Sequence, residues 1–293
     1  MNGTLLTFFC WMLVLAADAA ETGPAVGAES PQEREGRPCA ECHEPITQAF
    51  AGTRMAEAAS GRDFLEEWEQ KERPDWCANC HAPSGGRGVT CADCHGSGPH
   101  PYPKVQIPGA CARCHDAPGE STVRRFLAGP AAHRGEDCLN CHLLEDSAGG
   151  DHAFQGPSVP GFLDGVAAVR AFLREEESGG TTAVFQITHR AGHALPGGTT
   201  GRSVWLLVQG IKADGAEAWR ETVRFGWEHH PDRGWLDRTL PPGRPAVLEL
   251  PGLRRGGTVR LRAELWYRFQ PGPFFEPDPR AVRLDQVQVD LRI

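Results

Sequence analysis

Ten of the eleven cysteines in this 293-residue chain fall into five C-x-x-C-H units, and only Cys10 stands outside them. The units are Cys39-Ala40-Glu41-Cys42-His43, Cys77-Ala78-Asn79-Cys80-His81, Cys91-Ala92-Asp93-Cys94-His95, Cys111-Ala112-Arg113-Cys114-His115 and Cys138-Leu139-Asn140-Cys141-His142. Two thiols three positions apart sit on one turn and can add to the two vinyl groups of one haem. The imidazole that follows then lies under the iron as its proximal ligand. The spacing assigns five c-type haems, bound through Cys39, Cys42, Cys77, Cys80, Cys91, Cys94, Cys111, Cys114, Cys138 and Cys141. His43, His81, His95, His115 and His142 are the proximal ligands. Zinc knuckles and a disulfide framework also use paired cysteines, but neither requires histidine after the second one. With 12 His in the chain, five hits in five by chance is on the order of one in ten million.

A six-coordinate haem needs a second axial ligand, usually His or Met. Beyond the proximal set the chain offers His100, His133, His152, His189, His193, His229 and His230. Met55 is the one methionine left once a leader carrying Met1 and Met12 is removed. Ile46 and Phe50 at i, i+4, among several alanines, predict a helix that includes Met55. A methionine there either fills space or binds iron. His100 and His133 each lie five residues from a unit, too close to reach readily around their own porphyrin, so each suits a neighbouring haem better. His229-His230, beside Pro231 and Asp232, read as a solvated loop pair.

The runs CAECHEPITQAFAGTRMAEA, GVTCADCHGSGPH and AGHALPGGTTGR resemble exported multihaem c-type cytochromes of the tetrahaem, nitrification-associated superfamily, over roughly Cys39 to Arg202. The resemblance implies a distal ligand about a dozen residues after the first unit, where Met55 replaces the common histidine. It implies others shortly after a C-x-x-C-H-G unit (His100), ahead of the last unit (His133), and in an H-x-x-P-x-G segment (His193). Met55, His100, His133, His152 and His193 would then supply five distal ligands for five irons. Which ligand serves which iron does not follow from spacing.

The elements that must position these groups divide the chain. Leu5 to Ala17 has the length of a signal h-region, with Ala17-Asp18-Ala19 offering a cleavage site. Residues 1–19 therefore read as a signal peptide, and 20–37, polar and rich in Gly and Pro, as a disordered linker. Residues 38–157 form a pentahaem cytochrome c domain, mostly α-helical or irregular. They contain only 14 Leu, Ile, Val or Phe in 120 residues, too few to bury a core against chain entropy unless porphyrins replace it. Residues 158–180 read as a connecting helix, with Phe162, Val166, Val169 and Leu173 on one face. From 181 to 293 the pattern is strand-like and split by Gly and Pro turns. Arg260, Arg262 and Glu264 alternate with Leu261, Ala263 and Leu265, and Lys212-Ala213-Asp214-Gly215-Ala216 is a hairpin signal. Leu, Ile, Val and Phe make up 29 of 113 residues here, enough for a core. The fold class is α+β: a haem-packed N-terminal domain followed by an antiparallel β-sandwich of about seven strands.

A net charge of −8 without basic runs argues against a nucleic-acid partner, and no transmembrane span is expected in the mature chain. The expected function is electron transfer through five covalently bound haems in the cell envelope, in the periplasm or at the cell surface, between redox partner proteins. The alternative is a redox enzyme acting on a small nitrogen or sulfur compound at a haem with an open distal position.

Overall fold

The computed structural model describes residues 38–96, 100–117, 120–143, 152–177, 180–198, 201–253, 255–274 and 278–291. The signal peptide and linker expected over 1–37 lie outside these residues. Each C-x-x-C-H unit is one turn ending on its histidine, as covalent attachment of two thiols to one porphyrin requires. The first is a 3₁₀ turn over Cys39–Glu41 followed by α1 (Glu44–Ala51). The others are α3 (Ala78–His81), α4 (Cys91–His95), the end of α5 (Gly109–His115) and α8 (Leu139–His142). Between them lie α2 (Arg62–Gln70), α6 (Thr122–Leu127) and α7 (Pro130–His133). No side chain of α1 to α5 is buried. Before residue 158, the buried apolar side chains among those described are Val123, Phe126 and Ala131. The missing core expected from composition is thus a property of the folded chain.

The helix expected over 158–180 is not formed: residues 158–166 are turns and bends, and a strand follows, β1 (Ala167–Glu175), whose residues alternate between buried and exposed at its start. Ala167, Val169, Ala171 and Leu173 carry a period of two as well as helical spacing, and pairing with β2 (Thr181–His189) selects the former. The sheet region therefore begins before 181. Its remaining strands are β3 (Ser203–Lys212), β4 (Glu217–Phe225), β5 (Trp227–His230), β6 (Gly234–Asp237), β7 (Ala246–Leu250), β8 (Thr258–Arg268) and β9 (Ala281–Asp290). All pair antiparallel, in sheets ordered β1-β2-β7, β4-β3-β8-β9 and β5-β6. The β3–β4 connection is the expected hairpin, closed by Lys212 N–H to Ala216 O at 2.9 Å, with Gly215 at φ 86° where a side chain would be strained. His229 and His230 sit on β5 rather than in a loop, with the His229 ring edge-on to Trp235 at 5.2 Å.

Phe185 and Ile187 from the first sheet and Val204, Leu206, Leu261 and Leu265 from the second share one apolar cluster. Burial of each such side chain contributes roughly 1.5–3 kcal/mol. β8 departs from simple alternation, because Glu264 is also fully buried. Arg262 and Arg283 neutralise it and the Trp266 indole N–H donates to it. Apart from His100 and Pro101, the described residues form one compact unit. Among them, no helix is long and apolar enough to cross a membrane.

Arg268, only 2% exposed, pairs with Asp278 at 2.6 Å and donates to the carbonyls of Gln270, Pro271 and Gly272 at 2.6–2.9 Å. Arg268→Met leaves a buried carboxylate and three carbonyls short of a donor. A loss of about 3–5 kcal/mol is expected, measured as a lower urea midpoint of the sheet transition in far-UV circular dichroism. A midpoint equal to wild type would show that the pair contributes no net stability.

Candidate functional site

The turns that present the histidines are held from their own sequence. At α4, Thr90 and Asp93 form a capping box, with Thr90 N–H and Oγ1–H both donating to Asp93 at 2.6 and 2.8 Å. At α8, Asp137 accepts from the N–H groups of Leu139 and Asn140, and Asn140 Oδ1 in turn accepts from Asp137 N–H. In the first and last units the histidine N–H closes onto the first cysteine's carbonyl, at 2.9 Å for His43 and 3.0 Å for His142. Among the described residues none of the ten cysteines of the units is paired in a disulfide. Thiols of different units meet: Cys39 beside Cys91, Cys80 beside Cys114 and Cys111 beside Cys138. Cys94 is within electrostatic reach of Cys111. The five units therefore form one connected array, with the fourth touching the most neighbours. Among the described residues no group of three or more His, Cys, Asp or Glu is placed to hold a metal ion.

Hydrogen bonding then fixes which ring nitrogen is available. His81 Nδ1 lies 2.8 Å from Ala58 O, His142 Nδ1 2.7 Å from Gln155 O and His193 Nδ1 2.8 Å from Ala194 O. A carbonyl can only accept, so each Nδ1 carries the proton and each Nε2 keeps its lone pair for a metal. Burial pushes the His193 pKa down to about 4, which keeps that imidazole neutral. His189 has the opposite arrangement. Its Nε2 faces the carbonyls of Leu240 and Pro241 at 3.2 and 3.0 Å, so it serves the strand packing instead.

Two imidazole pairs face each other across a gap. His142 and His193 have ring centres 6.3 Å apart with planes 10° from parallel, and His95 and His152 have centres 6.0 Å apart at 26°. A histidine nitrogen binds a transition metal at about 2 Å and lies about 1 Å from its own ring centre, so two trans imidazoles put their ring centres about 6 Å apart. Both pairs fit a six-coordinate iron. Together with the two thiols of each unit and the coreless helices, they show that the residues present suit haem.

The His193 loop is built for this meeting. Leu195 and Leu240 exchange backbone bonds at 2.9 and 2.8 Å, and both side chains are buried. Gly192 packs on Phe126 and Ala131, where a Cβ would stand 3.2–3.4 Å from their side chains. Gly197 lies under the His193 ring, and a Cβ there would come 2.5 Å from Cε1. The H-x-x-P-x-G run specifies Gly198, so Gly197, the glycine that clears space for the imidazole, stands at its unspecified position and carried no sequence signal. On the other pair, Phe154 meets His152 edge-on at 6.2 Å and Phe50 of α1 at 6.3 Å, which joins the first unit's helix to the third unit. Phe64, which carried no sequence signal of its own, stacks on His81 at 4.1 Å.

The remaining candidates are placed differently. Met55 is not helical: α1 ends at Ala51, Gly52 follows as its cap, and residues 52–60 are turns. Met55 contributes its carbonyl, which accepts from Val89 N–H at 2.9 Å just ahead of the third unit. His133 ends α7, exposed. Neither is brought opposite a proximal imidazole among the described contacts. His100 lies outside the compact unit.

No family model matches the chain, and no curated protein matches it. Among solved structures, the crystal structure of a penta-heme cytochrome c552 from Thermochromatium tepidum is similar, with a TM-score of 0.63 and 18% identity. The match covers 86% of this chain and 97% of that one, so the two share a fold across the helical and sheet regions.

Proposed function

We propose that this chain is a multihaem c-type cytochrome that carries electrons through five covalently bound haems in the cell envelope. The observation that carries the reading is the facing of His142 by His193, and of His95 by His152, at the separation of two imidazoles trans on one iron. When bound, haem supplies one-electron exchange at its iron, with a potential set by axial ligands, hydrogen bonds and burial. The protein's part is to hold the imidazoles rigidly through carbonyls and caps, and His142 with His193, and His95 with His152, would each hold one haem iron between them. Such sites suit electron transfer rather than substrate binding. The contacts between cysteines of different units support a closely spaced array. The fold shared with a protein described as a penta-heme cytochrome supports the same reading.

The two larger sheets are read as a β-sandwich that anchors one distal ligand, His193. The ancestry is read as the tetrahaem, nitrification-associated superfamily with a β domain appended. Export to the periplasm or cell surface is part of the proposal, as are redox partner proteins there.

The full-length protein, matured in a host that attaches c-type haem, tests this by intact mass and pyridine haemochrome assay. Five haems per chain are expected, with the mass of a chain cleaved after Ala19. A colourless protein whose thiols hold zinc or one another would overturn the reading. Oxidised samples should show low-spin EPR signals for the two paired sites. A high-spin signal responding to nitrite, hydroxylamine or cyanide would favour the enzyme alternative.

A further inference from the structure

The fourth unit differs from its neighbours in what stands behind its imidazole. His81 and His142 rest on neutral carbonyls. His115 Nδ1 instead faces the carboxylate of Glu120 at 3.8 Å, a charge contact longer than a tight hydrogen bond. Glu120 is buried and held in a fixed orientation. Thr122 Oγ1–H donates to it at 2.5 Å, and that same oxygen accepts from Gly198 N–H at 3.1 Å, which ties the group to the loop carrying His193. The carboxylate thus lies beside a unit that touches both the second and the fifth.

We propose that Glu120 is a positioning residue for His115 that lowers the reduction potential at the fourth unit relative to the units whose imidazoles rest on carbonyls. The physical reason has two parts. A carboxylate behind Nδ1–H makes Nε2 a stronger donor, and a fixed negative charge near the iron favours its more highly charged ferric state. Because this unit joins the rest of the array, its potential governs how electrons are distributed among the others. The inference rests on the haem reading, and the experiment separates the two.

Wild type, Glu120→Gln and Thr122→Val are matured as full-length holoproteins. Haem content is counted by pyridine haemochrome, and the potentials are resolved by optical redox titration with EPR at each stage. Glu120→Gln keeps the shape and removes the charge. One of five midpoint potentials is expected to move upward, with a changed g-tensor at the same haem and the other four unmoved. Thr122→Val keeps the charge but loosens its hold, and the same haem should shift in the same direction by less. Five unchanged potentials in a five-haem Glu120→Gln protein overturn the proposal, as does a downward shift. If Glu120→Gln matures with fewer haems, Thr122→Val decides alone: an upward shift supports the proposal and no shift overturns it. Wild type without haem would defeat the haem reading itself, an outcome distinct from all of these.

Discussion

In the holoprotein, His193→Ala is expected to turn one haem in five from low-spin to high-spin and to leave the other four spectra unchanged. His193 lies 6.3 Å from His142 with planes 10° from parallel, and its Nδ1 is committed to Ala194 O, so its Nε2 is the nitrogen that would be left to hold the fifth unit's haem iron. The change should be local, because the loop is held independently by the Leu195–Leu240 bridge and by Gly192 against Phe126. His152→Ala should do the same for the third unit, and the double variant should show two high-spin haems. His189→Ala is the matched control. It lies four residues away, but its Nε2 is occupied by two carbonyls, so only stability should suffer. Gly197→Ala probes the same site without touching the ligand. The added methyl carbon would stand 2.5 Å from Cε1 and 2.7 Å from Nδ1 of His193, so the ring must tilt off axis. A mixture of spin states at one haem is expected. Low-temperature EPR and the optical high-spin band measure every one of these variants. A fully low-spin His193→Ala protein would remove His193 from the axial set.

How far the site is legible depends on whether chemistry or topology sets it. The five attachment turns are plain because two thiols and an imidazole on one porphyrin allow one spacing, whatever surrounds them. The partners of His95 and His142 are not, since His152 and His193 lie 57 and 51 residues further along. Only the packing of Phe154 and of the Gly192 loop brings them back. The strands of the second half follow from alternation, except where two periods coexist. Val169 and Leu173 satisfy both a helix and a strand, and pairing across β1–β2 makes the choice. Met55 misleads for the opposite reason. Alanines favour helix on either side of it, but Gly52 and the buried Thr53, whose hydroxyl accepts from Ala56 N–H, stop α1 first. Glu120 leaves no trace in the sequence because its meaning lies in the imidazole five positions before it and in a hydroxyl two positions after.

Withholding haem during expression should leave the sheets folded and the front half of the chain without stable structure. The helices α1 to α5 are four to nine residues long, well below the roughly 12–15 residues at which an isolated helix becomes even marginal in water. None of them buries a side chain. Ordering each residue costs about 1–2 kcal/mol of backbone entropy, and Val123, Phe126 and Ala131 cannot offset that across the whole helical region. The sheets have their own cluster, from Val169 on β1 to Leu265 on β8, and need nothing from the porphyrins. Hydrogen exchange on reduced apoprotein should show protected amides in β2, β3 and β8, with residues 44–115 exchanging at unfolded rates. Far-UV circular dichroism should lose its helical component while the strand signal persists. The polar inter-half contacts, Gln270 with Asp63 at 2.6 Å and Arg125 with Asp237, should be lost with the helices, because one hydrogen bond and one ion pair do not offset the entropy of ordering that half. Apoprotein with holoprotein-like protection in α2 and α5 would mean that polypeptide alone folds this half, and that porphyrin is not its core.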